Sequence, residues 1–177
     1  MDVETALIVA CPAADAVVGD QRKRLDRAAH AGVPAHLTVA YPFKADLVTK
    51  DHRRLTELFL AFHEFAVRGE RTGWFDHAVV FVVPEDPGSL IALTEAVQEA
   101  FPAYPIYGGA FDEVVPHVTI GHDQTMDVLQ AAERVVLDRL PFRQLVDHVE
   151  LWSGPPLPMA PEGSWRHARD YALCPPS

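Results

Sequence analysis

Short apolar runs alternate with longer amphipathic stretches along this chain, and these two patterns predict strands and helices in turn. Short apolar or β-branched runs between turn signals indicate strands, whereas apolar positions three and four residues apart indicate helices. By these criteria the first half contains, in order, a strand over 5–10, a helix over 14–31, a strand over 36–41 that Pro42 halts, a helix over 51–62 and a strand over 65–75.

The second half repeats this order. It predicts a strand over 78–83, a helix over 89–101 with Ser89 as N-cap, a strand over 117–121, a helix over 126–140, and final strands over 142–152 and 165–173 joined by an exposed loop. Such a repeat indicates an internal duplication. We therefore predict one two-lobed domain over 1–177, with pseudo-repeats of about 1–75 and 76–177.

Each half carries the pattern His-apolar-Thr-apolar on its third element. The first copy contains His36 and Thr38, and the second contains His117 and Thr119. Alternate side chains of a strand share a face, so each histidine points the same way as its threonine. Two such strands, brought together by the duplication, would present two imidazoles and two hydroxyls to one cleft.

This set of groups suits the cleavage of a phosphodiester. One group must activate water and another must protonate the departing oxygen, and histidine can do either near neutral pH. The threonine hydroxyls can donate hydrogen bonds to the non-bridging oxygens, where negative charge builds up. These steps require no metal and no cofactor, and we predict neither.

Two alternatives stay open at this point. A single copy of the pattern carries little information, because such tetrapeptides occur by chance in ordinary strands. The chain could be a non-catalytic nucleotide- or RNA-binding module of the same fold, although binding alone does not demand imidazole twice. It could also be a metal-dependent hydrolase that uses some of the nine histidines, which activity in EDTA would exclude.

The residues HLTV (36–39) and HVTI (117–120), in a duplicated chain of this length, resemble the 2H phosphoesterase superfamily and its 2′-5′ RNA ligase-like branch. The resemblance implies an α+β, bilobal fold, with two antiparallel sheets flanking a central cleft and helices outside. It implies opening of 2′,3′-cyclic phosphates to 2′-phosphates, as a cyclic phosphodiesterase does, or the reverse 2′-5′ joining of RNA ends. By analogy His36 protonates the leaving oxygen and His117 activates water, although the pseudo-symmetry makes either assignment chemically reasonable.

The net charge of the chain indicates which classes of binding partner to expect. Lys and Arg number 15 against 25 Asp and Glu, a net charge of −10, which disfavours long nucleic acid. The basic run over 21–24 is interpreted as a solvated helix face. We predict a small cyclic-phosphate nucleotide or an RNA terminus as partner, and a monomer. The chain lacks a long apolar run and a basic leader, so we expect a cytoplasmic protein with no membrane partner.

Four further residues are candidates for substrate binding: Tyr41, Trp74, Tyr107 and Arg166. The aromatic rings could stack on a nucleobase, and the arginine, on the last strand, could supply positive charge. His122 lies five residues after His117, a spacing that turns it to the opposite face of a regular strand. A metal shared by these two histidines is therefore not expected.

Overall fold

The computed structural model describes residues 2–176. Its strands are β1 (Glu4–Ala10), β2 (His36–Phe43), β3 (Phe65–Phe75), β4 (Val79–Pro84), β5 (Val118–His122), β6 (Phe142–Val146), β7 (His148–Gly154) and β8 (Arg166–Ala172). Its helices are α1 (Pro12–Leu25), α2 (Arg27–His30), α3 (Thr49–Leu60), α4 (Gly88–Ala100) and α5 (Met126–Leu137). Short 3-10 turns occupy Ile106–Gly109 and Leu157–Met159. Within residues 2–176, no helix is long and apolar enough to cross a bilayer.

The strands form two antiparallel sheets of four, so the expected α+β fold is confirmed. The first sheet has the order β2-β1-β7-β8 and the second has the order β5-β4-β3-β6. Each motif strand, β2 or β5, is thus an edge strand beside the first strand of its own repeat. The two motif strands also contact each other, which brings the two halves of the motif pair together.

The two sheets do not follow the two halves of the sequence. The order strand, helix, motif strand, helix, strand occurs twice, from β1 to β3 and from β4 to β6, as predicted. However, β3 leaves the first repeat and pairs with β4, while β7 and β8 return to extend the sheet of β1. Each sheet therefore contains strands from both halves, and these exchanges join the halves through backbone hydrogen bonds.

The alternation within the motif strands sets the core. Leu37 and Val39 in β2, and Val118 and Ile120 in β5, are buried in one continuous hydrophobic cluster. Burial of these side chains leaves the histidine and threonine face of each strand free. Helix α1, from the first repeat, packs against β5 and β6 of the second sheet.

Asp26 interrupts the helix predicted over 14–31. Its backbone is extended, with φ −129° and ψ 119°, and its carboxylate accepts a hydrogen bond of 3.0 Å from the Ala28 N–H. Aspartate favours this N-cap role because its side chain competes with the helical backbone for N–H groups. The single predicted helix is therefore two helices, α1 and α2, with a carboxylate placed at the break.

Other element boundaries also differ from the prediction, and three of these differences change the local structure. Strand β2 continues through Pro42, which is tolerated because an edge strand does not need every backbone N–H. Helix α4 begins at Gly88, not after Ser89, since the Asp86 carboxylate accepts the Gly88 N–H at 3.0 Å and supplies the capping acceptor earlier. The strand predicted over 142–152 is two strands, β6 and β7, which belong to different sheets.

Candidate active site

The two motif histidines hold their rings in the same way. Nδ1 of His36 lies 2.7 Å from the carbonyl oxygen of Pro34, and Nδ1 of His117 lies 2.7 Å from the carbonyl oxygen of Val115. A carbonyl oxygen only accepts, so each Nδ1 carries a proton and donates it. In the neutral form of each ring the lone pair is therefore on Nε2, and both histidines present the same atom for proton transfer.

The two rings come from different sheets but influence each other. His36 begins β2, while His117 immediately precedes β5, and these strands are in contact. A positive charge on His117 would lower the pKa of His36. The structure thus brings together the two strands that carry the imidazoles and their threonines, and the two rings are close enough for their charges to interact.

Burial depresses the pKa of both histidines. The pKa of His36 falls to about 4, first because the ring is withdrawn from water and second because the Arg22 guanidinium is nearby. The pKa of His117 is also lowered, again mainly by burial. Both rings are therefore neutral at pH 7 in the free protein, with Nε2 ready to accept a proton.

Two phenylalanines of the second sheet hold the His117 ring. The Phe75 ring meets it edge-on, with centroids 4.9 Å apart and an interplanar angle of 88°, and the Phe81 ring lies at 5.1 Å and 53°. Gly73, paired with Phe81 in the sheet, leaves the space that the Phe81 ring occupies; a Cβ there would lie 2.8 Å from ring carbon Cε2. The absence of a side chain at Gly73 therefore allows the Phe81 ring to lie against His117.

A cleft of about 680 Å³ opens beside His117. Its walls include Trp74 of β3 and Tyr107 of the turn at Ile106–Gly109. Of the four motif residues, His117 and Thr119 line it, whereas His36 and Thr38 are not among the described residues of its wall. Among the described residues that line this cleft, the carboxylates are Asp76 and Glu113, and none is a lysine or an arginine. The cavity is thus an aromatic recess of nucleotide size, and its charged wall residues other than histidine are acidic.

Tyr107 links the cleft to the first motif. Its backbone adopts φ 50° and ψ 32°, a left-handed conformation that is uncommon for a tyrosine. Its phenol faces the Thr38 hydroxyl; burial raises the pKa of Tyr107, and the interaction with Thr38 opposes that rise. This turn therefore places the Tyr107 side chain in contact with both the cleft beside the second sheet and Thr38 of the first sheet.

His122 also lines the cleft, and the prediction that it faces away from His117 is wrong. Strand β5 contains a bulge, because Phe81 of β4 pairs with Thr119 while the adjacent Val80 pairs with Gly121. The extra residue shifts the alternation of side chains by one position. His122 consequently shares the face of Thr119 despite an odd spacing from His117.

A buried ion pair supports this third histidine. Arg22 and Asp26 are 2% and 6% exposed, and Nε and Nη2 of the arginine lie 2.8 and 2.7 Å from Asp26 Oδ2. The other carboxylate oxygen, Oδ1, lies 3.3 Å from Nε2 of His122. Burial alone would raise the pKa of Asp26, but the His122 contact and the Arg22 charge hold it well below its usual range.

The charge state of His122 follows from the same contacts. Its Nδ1 lies 3.0 Å from Asp123 Oδ2, and the Asp26 carboxylate, more than any other group, raises its pKa. In the neutral form Nε2 accepts the Arg27 N–H at 3.3 Å, whereas the imidazolium donates to Asp26. His122 is thus the histidine of this cleft that most readily carries a positive charge.

The basic run over 21–24 is only partly the solvated face that was expected, since Lys23 and Arg24 are exposed but the first two residues are not. Arg22 and Gln21 are buried, and Arg22 also donates from Nη1 to the Val33 carbonyl oxygen at 3.3 Å. The charge of Arg22 is therefore used inside the protein, beneath the motif strands. The sequence offers a weak signal for this arrangement, since Arg22 and Asp26 have the helical spacing of an ion pair.

The four predicted binding residues separate into two groups. Trp74 and Tyr107 line the cleft, and the Trp74 indole also donates from Nε1 to Glu133 at 2.9 Å. Tyr41 and Arg166 lie outside the cleft wall formed by the described residues. The Tyr41 hydroxyl donates to Glu4 at 2.6 Å, and the Arg166 guanidinium donates to the carbonyl oxygens of Trp165 and Gly163.

Side chains that could hold a metal ion together lie on the first sheet. Within residues 2–176, one set of three histidine or acidic side chains brings its ligand atoms within 4.8 Å of one another, namely His148, Glu150 and Asp170. That set lies on β7 and β8 of the first sheet. The motif pair itself offers imidazoles, which can transfer protons, and hydroxyls, which can donate hydrogen bonds.

Comparison with known families gives one clear match. The model of the 2′-5′ RNA ligase superfamily matches residues 10–154, a span that includes both motif copies. No curated protein matches the chain. The family assignment therefore comes from this match, which covers more than half of the sequence.

Comparison with solved structures shows a shared fold at low sequence identity. E. coli LigT complexed with 3′-AMP is 19% identical, with a TM-score of 0.57, over 96% of this chain and 97% of LigT. TT0787 of Thermus thermophilus is also 19% identical, with a TM-score of 0.58, over 98% of this chain and 100% of its own. A protein described as a phosphoesterase is 18% identical, with a TM-score of 0.55, over 98% of this chain and 99% of its own.

Proposed function

This chain belongs to the 2′-5′ RNA ligase superfamily of 2H phosphoesterases, and on that premise we propose that it opens 2′,3′-cyclic phosphates to 2′-phosphates without a metal ion. The substrate is a small nucleotide or an RNA end, and the reverse reaction, 2′-5′ joining, would use the same groups. The observation that carries this proposal is the matched pair of rings, His36 and His117, each donating from Nδ1 to a backbone carbonyl and presenting Nε2.

The reaction requires one imidazole and one imidazolium. The imidazole takes a proton from water through Nε2, and the water oxygen forms a bond to phosphorus. The bond between phosphorus and the 3′ oxygen breaks, and Nε2–H of the imidazolium gives its proton to that oxygen. The product is a 2′-phosphomonoester with a free 3′ hydroxyl, and the two histidines have exchanged protonation states.

The threonines stabilise the charge that develops on phosphorus. Thr38 and Thr119 share the strand faces of His36 and His117, so each hydroxyl points the same way as its own histidine. A hydroxyl that donates to a non-bridging oxygen acts most strongly in the transition state, where that oxygen carries more charge. Loss of one such donor typically costs about 2.7–4 kcal/mol.

The shape and charge of the cleft favour a small substrate. Trp74 and Tyr107 offer aromatic surfaces for one base, and such stacking contributes about 1–3 kcal/mol per base. Asp76 and Glu113 at the wall would repel further phosphates of a long strand. Solved E. coli LigT structures hold 3′-AMP, ATP or NADP+, which is consistent with nucleotide recognition by this fold.

The test is product analysis with 2′,3′-cyclic nucleotides and with RNA that ends in a 2′,3′-cyclic phosphate, in the presence of EDTA. We expect 2′-phosphate products from the wild type. His36→Ala and His117→Ala should each lower the rate by about 100-fold or more, the usual scale of acid–base catalysis.

His63→Ala is a matched control, because His63 is exposed and distant from the motif strands in sequence. It should retain the wild-type rate. Equal turnover by wild type, His36→Ala and His117→Ala would overturn the catalytic assignment. Binding of nucleotides with no turnover in any of these proteins would show the non-catalytic module instead.

A further inference from the structure

Three metal-ligating side chains meet on the first sheet, away from the motif histidines. His148 and Glu150 lie on β7, and Asp170 lies on the adjacent strand β8, paired with Glu150. Nε2 of His148 is 3.2 Å from Glu150 Oε1 and 3.9 Å from Asp170 Oδ1. We call these three residues the β7–β8 cluster. Two paired strands hold them together, so their proximity does not depend on a loop.

Two neighbours orient the ligand atoms of the cluster. Nδ1 of His148 is hydrogen-bonded to the Asp147 carboxylate, which leaves Nε2 facing the cluster. Glu150 Oε2 accepts the Trp152 indole N–H at 2.6 Å, which leaves Oε1 facing the same point. Metal-binding histidines and carboxylates in proteins characteristically have such outer partners, which fix the ring and the carboxylate before the ion binds.

The spacing fits a small transition-metal ion. Ligand bonds of about 2.0–2.1 Å in a tetrahedral site place the ligand atoms about 3.3 Å apart. The distances of 3.2 and 3.9 Å from the His148 nitrogen are close to that value. Nε2 of His167 forms a hydrogen bond of 2.6 Å with Asp170 Oδ1 and is not one of the three grouped ligand atoms. Imidazole nitrogen and carboxylate oxygen together suit zinc better than calcium or magnesium.

The negative charge around the His148 ring also favours binding of a cation. Asp147, Glu150 and Asp170 place three carboxylates around the His148 ring, and no lysine or arginine of residues 2–176 forms an ion pair with them. The Glu150 side chain is only 15% exposed, so water solvates it poorly. Arg169 does not compensate, because its guanidinium lies over the Tyr171 ring, 5.8 Å from the centroid.

We propose that the β7–β8 cluster binds one zinc-type divalent cation through His148, Glu150 and Asp170. Glu150 pairs with Ile8 of β1, and Ile8 pairs with Thr38 of β2, so the ion would lie on the face of the sheet that carries Thr38. Two strand spacings separate Glu150 from Thr38, which corresponds to a distance of about 10 Å. At that distance the ion joins β7 to β8 and takes no part in proton transfer by the motif histidines. The inference is therefore independent of the proposed hydrolysis.

The experiment measures binding of Zn²⁺ alone to the full chain, freed of any affinity tag, by equilibrium dialysis with metal analysis. We expect one Zn²⁺ per chain and a rise in the thermal midpoint on saturation. His148→Ala and Glu150→Gln should abolish saturable binding. Asp147→Asn, which removes only the partner of His148, should weaken it by about 10–100-fold.

His63→Ala serves as the matched control and should bind like the wild type, because His63 is exposed and lies outside the cluster. Circular dichroism of each variant would check that it is folded. Absence of saturable binding to the folded wild type would overturn the proposal and leave the cluster as a self-neutralising network of histidines and carboxylates. Equal binding by wild type and the His148→Ala, Glu150→Gln double variant would also overturn it.

Discussion

The imidazole of His122 lies 3.3 Å from the buried carboxylate of Asp26, so the strand of the second motif is tied to the break between α1 and α2. Asp26 also forms the buried ion pair with Arg22, and its negative charge opposes the lowering of the pKa of both His36 and His117. One carboxylate from the first repeat thus acts on the histidines of both motifs.

Removal of the Asp26 charge should destabilise the protein strongly. Asp26→Asn leaves the buried Arg22 guanidinium without its counter-charge, and breaking a buried pair in this way costs about 3–5 kcal/mol. Urea denaturation at pH 7 would measure the loss. Asp20→Asn is the control, since Asp20 pairs with Arg139 at 3.5 Å on the surface and should change the free energy of unfolding by about 1 kcal/mol or less.

The same pair predicts how stability depends on pH. The folded-state pKa of Asp26 lies below the ordinary value of 3.8, so its stabilising contribution is complete above that value and is lost as the pH falls further. Asp26→Asn should therefore flatten the stability profile at acidic pH relative to wild type. Parallel profiles for the two proteins would contradict the assignment of this pair.

The rate of hydrolysis should be highest at mildly acidic pH. The free enzyme needs one protonated and one neutral imidazole, and burial lowers the pKa of both His36 and His117 below 6.5. Above the higher of these two pKa values the acid form declines about tenfold per pH unit, and below about 4 the base becomes protonated. We therefore expect kcat/KM to peak between these limits. A plateau extending above pH 8 would refute this expectation.

A substrate with sulfur in place of the 3′ bridging oxygen should identify the general acid, because a thiolate leaves without a proton. The variant that lacks the acid should regain most of its rate on this substrate, whereas the variant that lacks the base should not. The resemblance assigns the acid role to His36, but the Arg22 charge beside it disfavours an imidazolium there. We therefore expect the rescue in His117→Ala. Rescue in His36→Ala would restore the assignment implied by the family.

The absence of a side chain at Gly73 should be required for the position of the Phe81 ring against His117. In Gly73→Ala the new Cβ would meet the Phe81 ring at 2.8 Å, and the ring would have to move. We expect a loss of about 1–3 kcal/mol in stability, typical of overpacking, together with a lower kcat/KM. Gly19→Ala in α1 is the matched control; its nearest contact would be 3.6 Å, so it should stabilise by about 0.5–1 kcal/mol.

The sequence by itself was sufficient for the two motif copies and for most of the order of elements, although one predicted helix and one predicted strand are each two elements. Both depend on local chemistry, since the apolar period distinguishes a strand from a helix and alternate residues of a strand share a face. The burial of Leu37 and Val118 beside the less buried His36 and His117 follows from that alternation alone. The contact between the two motif strands could be expected because the same pattern occurs twice.

The tertiary structure decided the features that depend on how strands pair over long distances. Contacts between residues far apart in sequence determine which sheet contains β3 and whether Arg22 is buried. They also determine where β5 bulges, and the bulge brings His122 into the cleft. The meeting of Glu150 with Asp170 likewise depends on the register of β7 and β8. Register and bulges shift side chains between faces in single-residue steps, and a local hydrophobic pattern does not specify those steps.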